Sequence, residues 1–533
     1  MPTDLERCPP TEQDPLLPKD DNPEAPNVDN DNPKVADANL KYILPALGIG
    51  IFLAAMDNTI VVSSYGEIGN DLKELNRTSW IATAYLLTTT SFQPLYGKLC
   101  DIFSRKSCLL FAYVVFGLGC LGCGLSRTMG ELVASRAFAG IGGGGMTTVV
   151  SIIISDLVPL RSRGTWQGIL NIIFSSGAAA GAPLGGLMAD TVGWRWSFLV
   201  QVPGTALACL AVGAFLNLPS TPTSTTPFKT RLMRVDFLGA FVLVLAVLSL
   251  LLGLDMASNI SLTSPIVVAA LASAVTLFVT FACVEGWVAA EPFAPGPIVR
   301  ERTILSASMS NFFAFAAHMN LLFYTPLYYQ AVGLLSASES GIRLLPAIFC
   351  GVSGSLAGGL IMQKSGKFYW LTVVAYIIMI VGASVVLIAT SFYDSTLGAC
   401  LGVAVSAVGN GIGVTTALVA LIAAAGTKDQ AVATAVSYLF RALGTVMGVS
   451  FGSMLVQNKL RKELLARLTG DDVEEIVRKV RESMDFIQTL PVEMRDIVRE
   501  CYRDSLQLAF VFALGLAICA VVAAAFIKER KLS

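Results

Sequence analysis

The segment Gly97-Lys98-Leu99-Cys100-Asp101-Ile102-Phe103-Ser104-Arg105-Lys106 is short, charged and set between two apolar runs, centred near Leu87 and Gly117. A run of about 20 apolar residues, coiled as a helix, covers the ~30 Å of hydrocarbon in a bilayer. The charged segment therefore reads as a turn at a membrane surface that joins two spans. Working outward from it in both directions adds twelve more runs of the same kind. The fourteen centres are Ala54, Leu87, Gly117, Gly142, Ala178, Leu207, Leu245, Ala274, Ala317, Gly351, Met379, Ala407, Met447 and Leu516. The expected fold class is an all-α membrane protein with 14 transmembrane helices. The spans near Gly142 and Ala407 are rich in glycine and are the weakest by hydropathy.

Composition agrees. Charged residues are 14% of the 533, against roughly 25% in an ordinary soluble domain. Hydrophobic residues reach 54% and mean hydropathy is +0.66. Residues 1–41 carry 14 of the charges and residues 458–504 carry 21, so the apolar body is poorer still. Such a chain is built for lipid, which argues against a secreted disulfide scaffold and an ordinary cytosolic enzyme. A net charge of −1 argues against a nucleic-acid binder. Of the eleven cysteines, nine lie in or beside apolar runs. Cys120 and Cys123 have CxxC spacing but no second ligand pair, and read as small core residues. No metal or cofactor is expected.

Residues 1–40 hold ten acids, three bases and eight prolines. They cannot bury enough apolar surface to offset chain entropy, and a disordered tail is expected. No cleaved signal peptide is expected, because the first apolar run is too long and lacks the flanks. With an even number of spans both termini share one side. The even-numbered short connections hold thirteen Lys and Arg, the odd ones five, which places the even connections and both termini in the cytoplasm. The opposite face carries two glycosylation sequons, at Asn76 and Asn259. It also carries residues 458–504, where Leu460, Leu464, Leu465 and Leu468, then Val473, Ile476, Val477 and Val480, have helical spacing. A small amphipathic cap is expected there.

The chain repeats itself. Gly140-Ile141-Gly142-Gly143-Gly144 in span four is echoed by Gly409-Asn410-Gly411-Ile412-Gly413 in span twelve, and Gly97…Arg105-Lys106 by Gly359…Lys364-Ser365-Gly366-Lys367. Both offsets are eight spans, as six spans, a two-span insert and six more would give. The expected organisation is a tail (1–40), a six-helix bundle (41–217), a linker with two inserted helices (218–303), and a second bundle (304–527) that includes the 458–504 loop. A short cytoplasmic tail (528–533) follows. Repeated halves with a site between them are characteristic of secondary transporters.

The Gly97–Lys106 segment resembles the loop signature of the major facilitator superfamily. It keeps Gly97, Leu99, Asp101, Arg105 and Lys106, and departs at Ile102 and Ser104, where the family often has Arg and Gly. Arg136, Gly140 and Gly142 resemble the family's span-four pattern. Gly177, Gly181, Pro183, Gly185 and Gly186 resemble the antiporter signature, with Ala182 where the family usually has proline. Together with Trp194-Arg195-Trp196-Ser197-Phe198, these resemble the fourteen-span drug:proton antiporter branch. The stretches Ser91–Leu99 and Ala139–Thr148 look most like fungal vacuolar basic amino-acid transporters. The resemblance implies a major facilitator fold and proton-coupled carriage of basic amino acids.

Read from the residues themselves, Asp57 is the most informative position, a carboxylate in the middle of an apolar helix. It serves as a proton and cation site, or as a structural ion pair with Arg136; a pair that breaks on protonation would do both. Asp101 and Arg105 read as a latch, Asp101 near helix N-terminal amides of the other half and Arg105 on acids. Asn58, Asn171, Asn311, His318, Asn320 and Tyr324 are candidate cavity residues. Gln93, Gln167, Asn410 and Arg441 are weaker ones. Glu12, Leu16 and Leu17 resemble an acidic dileucine signal for a sorting adaptor.

The reading is a proton-coupled antiporter, not an enzyme, with the lipid bilayer, protons and basic amino acids as partners, in the vacuolar membrane. Plasma-membrane drug efflux is the near alternative, favoured by an aromatic cavity. A non-transporting nutrient receptor is the alternative from another class, disfavoured by the short tail after Lys528.

Overall fold

The computed structural model describes residues 34–530 apart from 62–63, 73–78, 217–235, 260–263, 290–291, 293–295, 336, 469–472, 483–486 and 488–489. Glu12, Leu16, Leu17 and Asn76 lie outside the described residues. Asn259 closes a helix, but its side chain is also outside them.

The described residues are helical, with no strand among them. This is what lipid demands, since a helix satisfies its own backbone groups where water cannot. The long helices are α1 (Lys34–Ile60), α2 (Ser79–Ile102), α3 (Arg105–Leu125), α4 (Met129–Leu157), α5 (Arg163–Thr191) and α6 (Gln201–Phe215, preceded by the turn Arg195–Leu199). Then come α7 (Phe237–Asn259), α8 (Pro265–Cys283), α9 (Arg302–Ala331), α10 (Leu345–Ser365) and α11 (Tyr369–Phe392). Residues Thr396–Arg467 form α12 (Thr396–Gly426) and α13 (Asp429–Arg467), broken at Gly426, whose φ of 71° suits glycine. The last is α14 (Val492–Ala525).

Twelve spans among the described residues are long and apolar enough to cross a membrane. The glycine-rich α4 and α12, expected to be the weakest by hydropathy, are among them; α2 and α9, also expected as spans, fall short. The reason is on their inner faces. Helix α2 buries Thr88, Thr90, Ser91 and Gln93, and α9 buries Ser308, Ser310, Asn311 and Asn320. The peripheral α3 shows the opposite arrangement. Its exposed face is Phe111, Val114, Leu118, Leu121 and Leu125, spaced 3, 4, 3 and 4, while Cys120 and Cys123 are buried.

Small residues set the packing. A side chain on Gly140 would strike the Tyr85 carbonyl of α2, and one on Gly142 the backbone of Ala112 and Phe116 in α3. In the second half, a side chain on Gly411 would strike the backbone of Gly351 and Ser355 in α10, and one on Gly409 that of Ala375 and Met379 in α11. Each glycine cluster thus holds its helix against the two before it, α4 on α2 and α3, α12 on α10 and α11. One apolar core joins α1 to α6. Two others join α9 to α14. The pair α7 and α8 leans on both sides, with Leu243 and Val247 packed among Leu95 and Ile102 of α2 and Leu439 of α13.

The described residues of 458–504 form a folded cap made partly by continuing helices. At 1.5 Å per residue α13 and α14 run about 58 and 51 Å, well beyond the bilayer core. Between them Leu460, Leu464, Leu468, Val477, Val480 and Tyr502 form a buried cluster, and the Tyr502 hydroxyl donates to the Val480 carbonyl at 2.8 Å. Arg467 pairs with Glu463, Glu500 and Asp504 over it.

Candidate functional site

Asp57 and Arg136 meet. Arg136 Nη1 donates to Asp57 Oδ2 at 2.6 Å, and both side chains are essentially sealed, at 1% exposure for the arginine and 0% for the aspartate. Gln201 Nε2 of α6 donates to the other carboxylate oxygen at 3.1 Å, and Arg136 Nε donates to the Ile81 carbonyl at 3.2 Å. The guanidinium lies over Tyr85 at 4.4 Å and near Phe198 at 5.6 Å. Every charge here is matched, as burial in a bundle requires. The sequence reading does not reach Gln201; its signal is a lone amide in the sixth apolar run.

The pair does not open onto the cavity. A central cavity of about 220 Å³ lies between α1, α2, α4 and α5 on one side and α9 and α13 on the other. That is room for several waters, or one small solute. Asn58, Gln93, Gln167 and Asn171 line it with amides, and Arg441 adds the single cation among its described lining residues, which include no carboxylate. Asp57 and Asn58 are neighbours on α1, one helical step apart, so one faces the bundle interior and the other the cavity. Tyr85 belongs to both, lining the cavity and stacking on Arg136. Of the two expectations for Asp57, the ion pair describes this conformer. Here Arg136 occupies the carboxylate, away from the cavity wall.

Of the other candidate cavity residues, Asn171 lines the wall and bonds Ser355 across the two halves at 2.7 Å. Asn311, Asn320 and Tyr324 do not line this cavity. They bond Ser437, the Gly448 carbonyl and the Val449 carbonyl, all on α13. They fasten α9 to α13, because a buried amide or hydroxyl takes the nearest acceptor. His318 is half-buried outside the cavity wall.

One end of the bundle, bearing Arg105, Arg161 and Lys364, is closed by contacts between the halves. Arg161 donates to the carbonyls of Gln363 and Lys364 at 2.6 and 3.2 Å, and Thr165 donates to the Gln363 side chain at 2.9 Å. Arg105 pairs with Asp101 at 3.2 Å and with Asp156 at 2.9 Å, and Gln430 of α13 donates to Asp156. The reach to the other half expected of Asp101 is made by Asp156. Gly97 lies where a side chain would meet Ala435 and the Ala431 carbonyl of α13. Lys106 donates to the Gly213 carbonyl at 2.8 Å.

Ser104 caps α3, accepting from the Ser107 amide, but its φ of 129° and ψ of 151° belong to glycine. The backbone of the resembled signature is thus present without its glycine. Ser104→Gly is expected to stabilise the protein. Relief of strain is on the order of 1 kcal/mol, and loss of the cap costs only a few tenths. The check is the melting temperature of the solubilised protein; a fall would refute the strain.

The antiporter-like residues join α5 to α1. Side chains on Gly177 and Gly181 would collide with the carbonyls of Phe52 and Met56. Thr59 donates to the Ala178 carbonyl at 2.9 Å, and Ser64 to that of Gly185 at 3.4 Å. Pro183 sits inside α5 on its exposed side, and Gly186 is half-buried. At the end opposite the closed one, Asp71 accepts from Arg195 at 2.8 Å and from Trp194 at 3.1 Å. Those bonds hold its carboxyl below the usual range, so this clasp stays ionised in mild acid.

The sequence profile of the Major Facilitator Superfamily matches residues 47–449. The vacuolar membrane amino acid uptake transporter fnx2 of Schizosaccharomyces pombe is 41% identical over 503 residues, covering 93% of this chain and 86% of that protein. The multidrug resistance protein fnx1 of the same yeast is 39% identical, covering 90% of each. Vacuolar basic amino acid transporter 2 of Saccharomyces cerevisiae is 31% identical, covering 83% of this chain and 96% of that protein. Among solved structures, the proton:xylose symporter XylE has a TM-score of 0.55 at 14% identity, covering 93% of this chain and 98% of that one, a likeness of fold alone.

Proposed function

From the premise that the chain belongs to the major facilitator superfamily of membrane transporters, we propose that it is a proton-coupled antiporter carrying basic amino acids from cytosol to vacuole. The observation that carries the coupling is the sealed Asp57–Arg136 pair, one helical step from the cavity. A proton reaching Asp57 removes the counter-charge of Arg136, and the packing of α1 on α4 must change. Tyr85 and Asn58 relay that change to the solute. The vacuolar relatives support the compartment and the substrate.

In this reading α2 and α9 cross the membrane as well, for fourteen spans. Residues 41–217 and 304–527 are the two moving bundles, and 218–303 holds the inserted pair. The closed end is cytoplasmic, as its bases suggest, so the conformer faces the vacuole. The N-terminal dileucine motif engages a sorting adaptor.

Uptake of labelled arginine, lysine and histidine into isolated vacuoles tests this. Uptake is expected to depend on the protein and to collapse with an uncoupler. Equal uptake by vacuoles lacking the chain would sink the proposal. Drug efflux is the second reading, favoured by the relative fnx1 and by Tyr85, Phe174, Phe315 and Tyr438 around the cavity. Uncoupler-sensitive dye export without amino-acid uptake would select it.

A further inference from the structure

We propose that Arg441 is the anchor for the carboxylate of the transported solute, and that Gln93 on the opposite wall takes its ammonium group. This rests on the amino-acid reading above and assigns the contacts within it.

Arg136 and Arg441 both lie in the bundle interior and are treated differently. Arg136 is matched by Asp57 and closed off. Arg441 lines the cavity, its guanidinium held over the rings of Phe315 at 4.5 Å and Tyr438 at 4.7 Å. Among the described residues no carboxylate pairs with it, and none lines the cavity. The two rings hold the guanidinium in place, and beyond its bond to Tyr438 its five N–H donors leave room for a planar anion such as a carboxylate. An unmatched intramembrane charge facing a cavity marks a substrate path.

The opposite wall supplies the complement. Gln93 is 7% exposed and lines the same cavity. Its amide nitrogen donates to Thr147 at 3.4 Å, while its Oε1 is buried with no hydrogen-bond partner. A buried acceptor left open is costly unless a ligand fills it. A zwitterion fits: carboxylate on α13, ammonium on α2. Because these helices belong to different halves, one solute bridges them. The cavity offers a cationic side chain only amides, hydroxyls and aromatic faces. Recognition of the backbone zwitterion thus dominates over side-chain charge.

The test is binding to the full-length protein in nanodiscs. The probes are arginine and lysine beside agmatine and cadaverine, which keep the side-chain cation and lack the carboxylate. Arginine and lysine are expected to bind on the order of 10- to 100-fold more tightly than their decarboxylated counterparts. Arg441→Gln should lose that preference, Arg441→Lys should keep part of it, and Gln93→Leu should weaken amino acids without making agmatine stronger. The probe comparison needs no variant, so a misfolded Arg441→Gln leaves the idea testable. Equal binding of arginine and agmatine to the unaltered protein overturns the anchor and leaves amine transport standing. Binding of none of the four overturns the amino-acid reading and the anchor together.

Discussion

Asp57→Asn is expected to abolish gradient-driven uptake and to lower the amount of folded protein. The variant leaves Arg136 buried beside a neutral amide. Removing one partner of a buried pair costs about 3–5 kcal/mol, a large part of the stability of a typical domain. Arg136→Gln should be as damaging, for the opposite charge. The informative variant combines Asp57→Asn with Arg136→Gln. Two neutral amides then face each other, no net charge remains in the pocket, and protein level should recover. Uptake driven by a pH gradient should stay absent, because neither amide can ionise. The measurement is uptake in sealed vesicles with an imposed gradient, normalised to protein. Normal gradient-driven uptake by the double variant would make the pair a structural clamp only.

Gly181→Leu should be nearly as severe by a purely steric route. Its side chain would run into the Met56 carbonyl and the Ile60 amide of α1, which are backbone and cannot rotate away. Overpacking costs typically about 1–3 kcal/mol where side chains can yield, and more where they cannot. The damage falls on α1, which carries Asp57 and Asn58, so both expression and transport should fall. Gly213→Leu is the control, since nothing lies within 4 Å of a side chain there. Wild-type expression and uptake are expected of it. Normal uptake by Gly181→Leu would mean that α1 and α5 are not held at this distance.

Much of this is legible in the sequence, for reasons that also explain the rest. Asp57 and Arg136 stand out because a charge in an apolar run has few explanations, and their pairing follows from matching signs. The glycine clusters are legible as a repeat because close helix contacts need small residues in a fixed order. Gln201 is not, since a single amide is common in spans and its partner is 144 residues away. The link from Asp156 to Gln430 joins positions 274 apart, and no spacing rule reaches so far. Helices α2 and α9 fall short by hydropathy because it averages over faces, whereas these helices turn their polar face inward. Asn311 and Asn320 share that polarity with Asn171. Only the fold separates an amide held wholly between two helices from one that lines the cavity.

The seating of α7 and α8 has a consequence for how lipids meet this protein. Two seams run where the halves touch, one between α2 and α13, the other between α5 and α10. The inserted pair covers the first, with Leu243 and Val247 wedged beside Leu95 and Leu439. Among the described residues the second has no such cover, and Ile172, Leu360 and Ile361 stand exposed near it. The molecule is therefore one-sided in the plane of the bilayer. Over the first seam the acyl chains meet α7 and α8; over the second they meet α5 and α10 themselves, packed so closely that a side chain on Gly359 would strike the backbone of Gly164.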